Sequence, residues 1–587
     1  MNYALTPTGD KQKKPASAFS AFLKLWPLLR EEKRILIFAF IAIIFSSGLN
    51  LLAPLLVGYT IDTYIQTSQY QGVLFFAAIL LGIYLGAFVA SYFQTMLMGG
   101  VGQRLLFNLR NAVFQKLQEL PVAFFNQNKA GDLISRINND TDKLNQFFSQ
   151  ALMQFMSNAF MILGAGIFLL SIHRRLGGAA LLPAVGLLMV SQALSAWIRR
   201  KNAASMQATG GMSGEIQESL ANFKVVIAFN RRDYFRKKFD EANELNFAMS
   251  LRAGIANIIF LPIYGLCGNL AQLIVLAYGI YLISIGDFTV GLLISFLSYV
   301  TRLYDPLRQL ASVWASFQAA MAGWDRISAI MSLESDMIVV PKKGRVSHAP
   351  LLTFHDVSFS YPDGKEVLHG INLTLKKGMT YALVGPTGGG KTTTASLMAR
   401  LYDPTAGMIQ LDGEDIRSYD SAERTKKVGF ILQEPYLFTG TVRENILYGN
   451  DEYKNVSNEA VSEALKKAGM ESLLARFDKG LETPVASGGD GISLGQKQLL
   501  AFMRAVLKDP DILILDEATA NIDTVTEKLL EEILTKLPEH TTRVIIAHRL
   551  NTIEHADEIY FVNAGEVVRA GSFDHALDML LHGKRAS

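Results

Sequence analysis

Long apolar runs alternate with polar, basic stretches over the first part of the chain, and short apolar runs take over in the last part. Six segments stand out, at residues 35–60, 73–98, 151–172, 176–198, 253–285 and 288–301, and none contains Asp, Glu, Lys or Arg. An α-helix rises about 1.5 Å per residue, so roughly 20 apolar residues cross a bilayer core, and a charge at its centre is costly. The pattern predicts six transmembrane helices, the sixth running on towards Leu310 and beyond. Apolar positions keep helical spacing through residues 105–120 and 217–239, which predicts helices that extend far past the bilayer.

The connections differ in charge. Residues 61–71 and 286–287 carry no Lys or Arg, whereas 99–150 and 199–252 are rich in both. The positive-inside rule then puts both termini in the cytoplasm, with Arg174 and Arg175 as the one dissenting pair. Ahead of the first span, Phe19, Phe22, Leu23, Trp26 and Leu29 recur at helical spacing beside Lys24 and Arg30, which fits an amphipathic helix on the inner membrane surface. The stretch does not read as a secretory signal, because no cleavage-like site precedes the first long apolar segment. After Met331 the chain turns polar and carries two prolines before residue 351, the mark of a linker. From Leu351 onward, strand-like and helical stretches alternate, as in an α/β domain. The expected division is a tail and interfacial helix at 1–33, a transmembrane domain at 34–330, a linker at 331–350 and a soluble domain at 351–587.

Composition agrees with a chain that is part membrane and part soluble, since half of its 587 residues are hydrophobic and 19% are charged. A net charge of +3 is too small to point to a nucleic-acid partner. The single cysteine, Cys267, excludes an intrachain disulfide and reads as a small hydrophobe in an apolar run.

The chemistry concentrates in the last part. Gly385, Pro386, Thr387, Gly388, Gly389, Gly390, Lys391 and Thr392 follow an apolar strand at 381–384 and open a helix at 392–401 that begins with Thr392 and Thr393. Strand, glycine loop and helix in that order form a P-loop, whose backbone N–H groups and helix N-terminus close around phosphates. Lys391 is expected to neutralise the β- and γ-phosphates of ATP, and the Thr392 hydroxyl to ligate Mg²⁺. A second apolar strand, 512–515, ends in Asp516 and Glu517. Asp516 is placed to hold Mg²⁺ through its water shell, and Glu517 to orient or deprotonate the attacking water.

With these motifs in place, residues 352–587 resemble the nucleotide-binding domain of ATP-binding-cassette (ABC) transporters, and the whole chain resembles a half-transporter of the exporter type. The resemblance implies an α-helical transmembrane domain of six helices with long cytoplasmic extensions, fused to an α/β P-loop ATPase domain. It gives Tyr361 the role of stacking on adenine, and Gln433 a place near Mg²⁺ at the membrane-domain interface. It makes Asp523 the D-loop aspartate and His548 the switch histidine on the γ-phosphate. Gly131, Asp132, Leu133 and Asp140, and Glu218 with Phe229, match the intracellular stretches that carry coupling helices in such exporters. Fusion with the membrane domain first implies export.

One motif departs from the family. Its Leu-Ser-Gly-Gly-Gln signature stands here as Ile492, Ser493, Leu494, Gly495 and Gln496, and the stretch Ser-Gly-Gly-Asp at 487–490 lacks a glutamate that many exporters carry just before it. In the family each ATP lies between the P-loop of one chain and the signature of the other, so Ser493, Gly495 and Gln496 would serve the partner's nucleotide. A full catalytic set beside a damaged signature leads to the expectation of a heterodimer with one competent and one degenerate site. A homodimer that tolerates Leu494 is the alternative. Amides in the membrane segments (Asn50, Gln94, Gln154, Asn158, Gln192, Asn257, Asn269 and Gln272) beside many Phe, Met and Tyr suit amphipathic substrates, although any single amide is expected to bond between helices. Asp305, between Arg302 and Arg308, is expected to form a local ion pair. Multidrug export is the leading expectation, with lipid or peptide export second, in an inner bacterial membrane. A nucleotide-gated channel has no use for Glu517, and six apolar spans exclude a DNA-linked ATPase.

Overall fold

The computed structural model describes residues 3–5, 27, 30, 32–342, 344, 349–362, 364–450, 452–453, 455–516, 524–546, 554–571 and 573–582. The expected interfacial helix at 16–29 falls outside them, apart from Pro27. The chain forms two compact units. One comprises Gly9–Leu117 and Gly131–Met331, the other Met1–Thr8, Gln118–Ala130 and Ser332–Ser587.

In the first unit, five helical stretches among the described residues are long and apolar enough to cross a membrane: Lys33–Ile65, Tyr70–Glu119, Ala130–Ile172, Arg174–Ala221 and Arg232–Ser284. The second runs for 50 residues, about 75 Å against a bilayer core of about 30 Å, so much of it projects beyond the bilayer, as its periodicity predicts. The sixth helix, Val290–Met331, starts in the expected apolar segment but meets Arg302, Asp305 and Arg308 along its length. Asp305 is exposed, and among the described residues no ion pair joins it to either arginine. That expectation fails because an exposed pair three residues apart gains little over hydration.

The sixth helix packs on the first, the third and Phe260–Ser284, while the fourth packs on the fifth. First and sixth helices approach through glycine. A Cβ on Gly291 would lie 2.1 Å from the Gly58 carbonyl oxygen, and Ser295 and Tyr299 donate to the carbonyls of Pro54 and Leu51 at 2.7 and 2.6 Å. Small residues and interhelical hydrogen bonds do this work where lipid removes the hydrophobic drive. The short turns gather at one end: Asp62 accepts from the Gly291 N–H at 2.7 Å, and His173 Nε2 lies 3.7 Å from the Asp287 carboxylate. Arg174 and Arg175 therefore sit at the end whose other turns carry no basic residue. Elsewhere, Arg326 reaches Asp132 and lies 3.3 Å from the fully buried Asp140, while Arg136 pairs with Asp132 at 2.9 Å and donates to the Arg326 carbonyl. Three of the eight amides bond between helices, Gln154 with Gln309, Asn257 with Asn202 and Gln272 with the Thr301 hydroxyl, whereas Asn50 donates to the Ser46 carbonyl of its own helix.

The second unit holds two principal sheets and a short antiparallel ribbon of β7 (Gly440–Thr441) and β8 (Pro484–Val485). Strands β1 (Leu352–Ser360), β2 (Glu366–Leu375), β4 (Ala406–Leu411) and β5 (Glu414–Asp415) form an antiparallel sheet in the order β2-β1-β4-β5. Strands β3 (Thr380–Val384), β6 (Val428–Ile431), β9 (Ile512–Asp516), β10 (Thr542–Ile546), β11 (Glu558–Asn563) and β12 (Glu566–Arg569) form the other, ordered β12-β11-β3-β10-β9-β6. All its neighbours pair in parallel except β11 with β12. The helix Lys391–Met398 buries Ala395, Leu397 and Met398 in the core shared by the two sheets. A separate core gathers the helices Asn458–Lys467 and Leu494–Val506. Past Met331 the chain is fastened to this unit: Arg400 donates to the Ile338 carbonyl at 2.7 Å, and the Val340 N–H to that of Arg417.

Candidate functional site

All five residues of β3 are buried, so the chain leaves the sheet interior at Val384 and must turn at once. Gly385 turns with φ +151°, and a Cβ there would lie 1.9 Å from the Val562 carbonyl oxygen. Gly390 caps the following helix at φ +112°, where a Cβ would meet Leu368 at 2.6 Å. Both positions demand glycine, one for space and both for conformation. Between them Pro386 accepts from the Gly389 N–H at 3.1 Å, and Gly388 takes φ +82°.

Lys391, 5% exposed, donates from Nζ to the Gly385 and Pro386 carbonyls at 2.8 and 3.0 Å. The ammonium is thus held against the loop's own carbonyls, beside the N-terminus of the helix it begins. Thr392 donates to Asp516 Oδ1 at 3.3 Å, and Asp516 is 3% exposed at the end of β9. Strand β10 separates β9 from β3, so the loop and the acid meet at the carboxyl edge of a parallel sheet, where such folds bind ligands. The loop after β6 leaves from the same edge and carries Gln433, which is exposed. Thr393 Oγ1 and the Tyr361 hydroxyl are 3.0 Å apart. Tyr361, Val367, Thr387, Gly388, Lys391 and Thr392 line a cavity of about 280 Å³ with Gly390 and Thr393.

The residues fit Mg²⁺. A hydroxyl and a buried carboxylate in contact supply hard oxygen donors, and phosphate oxygens with water complete the shell such an ion prefers. Among the described residues no cluster of three His, Cys, Asp or Glu occurs, and a site of this kind needs none. Glu517, Asp523 and His548 lie outside the described residues.

The signature forms a different surface. Ser493 caps the helix Leu494–Val506 in a reciprocal box with Gln496, at 3.2 and 3.1 Å, and Gln496 also donates to the Arg476 carbonyl. Leu494 is the first helical residue and is 41% exposed. Ser493, Gly495 and Gln496 do not line the P-loop cavity, so within one chain the two motifs stay apart.

Sequence reasoning missed Asn126 and Tyr402. Asn126, in the short helix Val122–Gln127, donates to the Tyr402 hydroxyl at 2.7 Å. Burial pushes the Tyr402 phenol up, with the nearby Tyr361 hydroxyl adding to the effect, so it stays neutral and able to accept. Its ring stands edge-on to Tyr361 with centroids 5.5 Å apart. Side chains thereby connect the helix Val122–Gln127, through Tyr402 and Tyr361, to Thr393 beside the P-loop. No local pattern marks Asn126, because its partner lies 276 residues away. Asp132 and Asp140 belong to ion pairs inside the membrane unit, and Glu218 and Phe229 are exposed on either side of the helix Phe223–Ala228.

Residues 36–307 match the ABC transporter transmembrane region and residues 368–520 match the ABC transporter family. YfiC of Bacillus subtilis (strain 168), an ABC transporter ATP-binding protein, is 34% identical over 575 residues, which cover 97% of this chain and 94% of the relative. YgaD of the same organism, whose name assigns it to multidrug export, is 30% identical over 93% of this chain and 95% of its own length. The ATP-dependent lipid A-core flippase of Syntrophus aciditrophicus (strain SB) is 32% identical over 84% of this chain and 82% of its own length. The chain therefore belongs to the ABC transporters, as a half-transporter that fuses the membrane region to the domain whose ATP hydrolysis is coupled to transport.

Proposed function

We propose that the chain exports amphipathic small molecules from the cytoplasm across the cell membrane, paired with a different half-transporter in a heterodimer with one competent and one degenerate ATP site. The observation that carries this reading is an intact P-loop side, with Thr392 bonded to Asp516 beside Lys391, in a chain whose signature holds an exposed leucine at position 494. At the competent site, Tyr361 stacks on adenine and the loop from Gly385 to Thr393 encloses the phosphates. Thr392, Asp516 and Gln433 hold Mg²⁺, which draws charge from the phosphate oxygens when bound. Glu517 orients or deprotonates the attacking water, His548 contacts the γ-phosphate, and Asp523 serves as the D-loop aspartate. The partner contributes an unaltered signature there, while Leu494 keeps a branched side chain where the partner's nucleotide needs close backbone approach.

ATP binding closes the two nucleotide domains and turns an inward-facing cavity outward, and hydrolysis resets it. The cycle moves substrate only if the two states bind it differently. Exposed Gln192 and Asn269 among apolar helix faces favour varied amphipathic molecules. Lipid export is the second reading, favoured by the similarity to a lipid A-core flippase. Purifying the native complex tests the assembly, and transport of a cationic dye and of a labelled lipid in vesicles tests the substrate. The heterodimer is refuted if the chain alone hydrolyses ATP and exports at full rate, with Glu517→Gln abolishing both.

A further inference from the structure

Two covalent routes leave the membrane helices for the ATPase unit. One runs from the second helix, which ends at Glu119, into the short helix Val122–Gln127. The other leaves the sixth helix at Met331 and enters the segment that Arg400 and Arg417 fasten down. Residues 3–5 bridge the two. Tyr3 is 1% exposed, its N–H donates to Gln127 Oε1 at 2.8 Å, and its ring stands edge-on to Phe124. Asn128 Nδ2 donates to the Tyr3 and Phe124 carbonyls at 2.9 and 2.8 Å, and Asn128 Oδ1 accepts from the Leu5 N–H at 3.0 Å. On the other side the Tyr3 hydroxyl donates to the Glu334 carbonyl at 3.3 Å and accepts from the Asp336 N–H at 2.9 Å. Burial first, and then the Asp336 side chain, push this phenol up to about 12 against the opposing pull of the Asp336 N–H, so it stays a donor at any physiological pH.

We propose that Tyr3 is a positioning residue for transport, a clasp that makes the helix Val122–Gln127 and the segment after Met331 move as one body when nucleotide binds. The proposal goes beyond the export cycle described above and rests on it only for the premise that ATP moves the membrane helices.

The test uses the full complex with Cys267→Ser and Gln71→Cys as a reporter near the turn before the second helix. The rate of maleimide labelling is read without nucleotide and with ATP, Mg²⁺ and vanadate, beside the kcat and KM of basal ATP hydrolysis. Tyr3→Ala is expected to cut the nucleotide-dependent change in labelling by about fivefold while kcat stays within about twofold. Tyr3→Phe, which keeps the ring and loses both hydroxyl bonds, is expected to fall between. An undiminished labelling response in Tyr3→Ala overturns the proposal, and so does a parallel loss of labelling response and hydrolysis in both variants. A background without any nucleotide-dependent change refutes the export cycle itself, and the clasp falls with it.

Discussion

Lys391 and Lys427 show two uses of a lysine in one domain. Lys391 donates to the Gly385 and Pro386 carbonyls of the glycine loop, which keeps its ammonium beside the phosphate site that the loop is proposed to form. Lys391→Ala is expected to lower ATP turnover by roughly 10²–10³-fold, the usual loss for one directed electrostatic contact, in a phosphate-release assay on the complex. Lys427 instead bridges Asp412 and Asp511 at 2.6 and 2.9 Å. Burial works to raise the Asp511 carboxyl, but the hydrogen bond and charge of Lys427 outweigh it and leave the group below the ordinary carboxylate range. A carboxyl depressed on folding adds stability that is complete above its unfolded pKa of about 3.9 and disappears as pH falls through its lower folded value. Burial pulls the Lys427 ammonium down, yet its two carboxylates raise it overall, so its share is complete below about 10.4 and fades as pH rises past its folded value. Lys427→Met is therefore expected to cost about 1.5–3 kcal/mol in denaturant unfolding near pH 7, with the gap from wild type steady between about pH 5 and 9 and closing in stronger acid. The P-loop lysine was legible from its neighbours in sequence. The Lys427 bridge was not, because Asp511 lies 84 residues away.

Helices in lipid meet where backbone can approach backbone, and Gly58 with Gly291 is the clearest case here. Gly291→Val is expected to push the first and sixth helices apart and to cost about 1–3 kcal/mol, the range for overpacking a close contact. The check is a lowered melting temperature of the purified complex in detergent. The periodicity predicted the helices, and their charge-free length predicted which parts meet lipid. It did not reveal which faces touch, since an apolar face reads the same towards lipid as towards protein. The same limit explains Asp305, where three charges at helical spacing suggested an ion pair that the exposed side chain does not make.

At the scale of the whole molecule the question is how many working ATP sites an assembly has. If Leu494 spoils only the partner's site, Leu494→Gly in the heterodimer is expected to raise turnover severalfold in a background where Glu517→Gln has silenced this chain's own site. The measurement is steady-state ATPase of the double variant, and an unchanged rate would separate Leu494 from the defect. The fold class and the presence of an ATP-hydrolysing domain were determined by sequence alone, because a P-loop, an acid-tipped strand and charge-free apolar runs are short patterns whose physics is local. Tertiary structure alone decided how distant parts act together: Asn126 on Tyr402, Tyr3 between two connections, Arg326 on Asp140. Such pairings depend on where the backbone brings residues that are far apart along the chain, and that placement comes from the packing of whole helices and sheets rather than from any neighbouring residue.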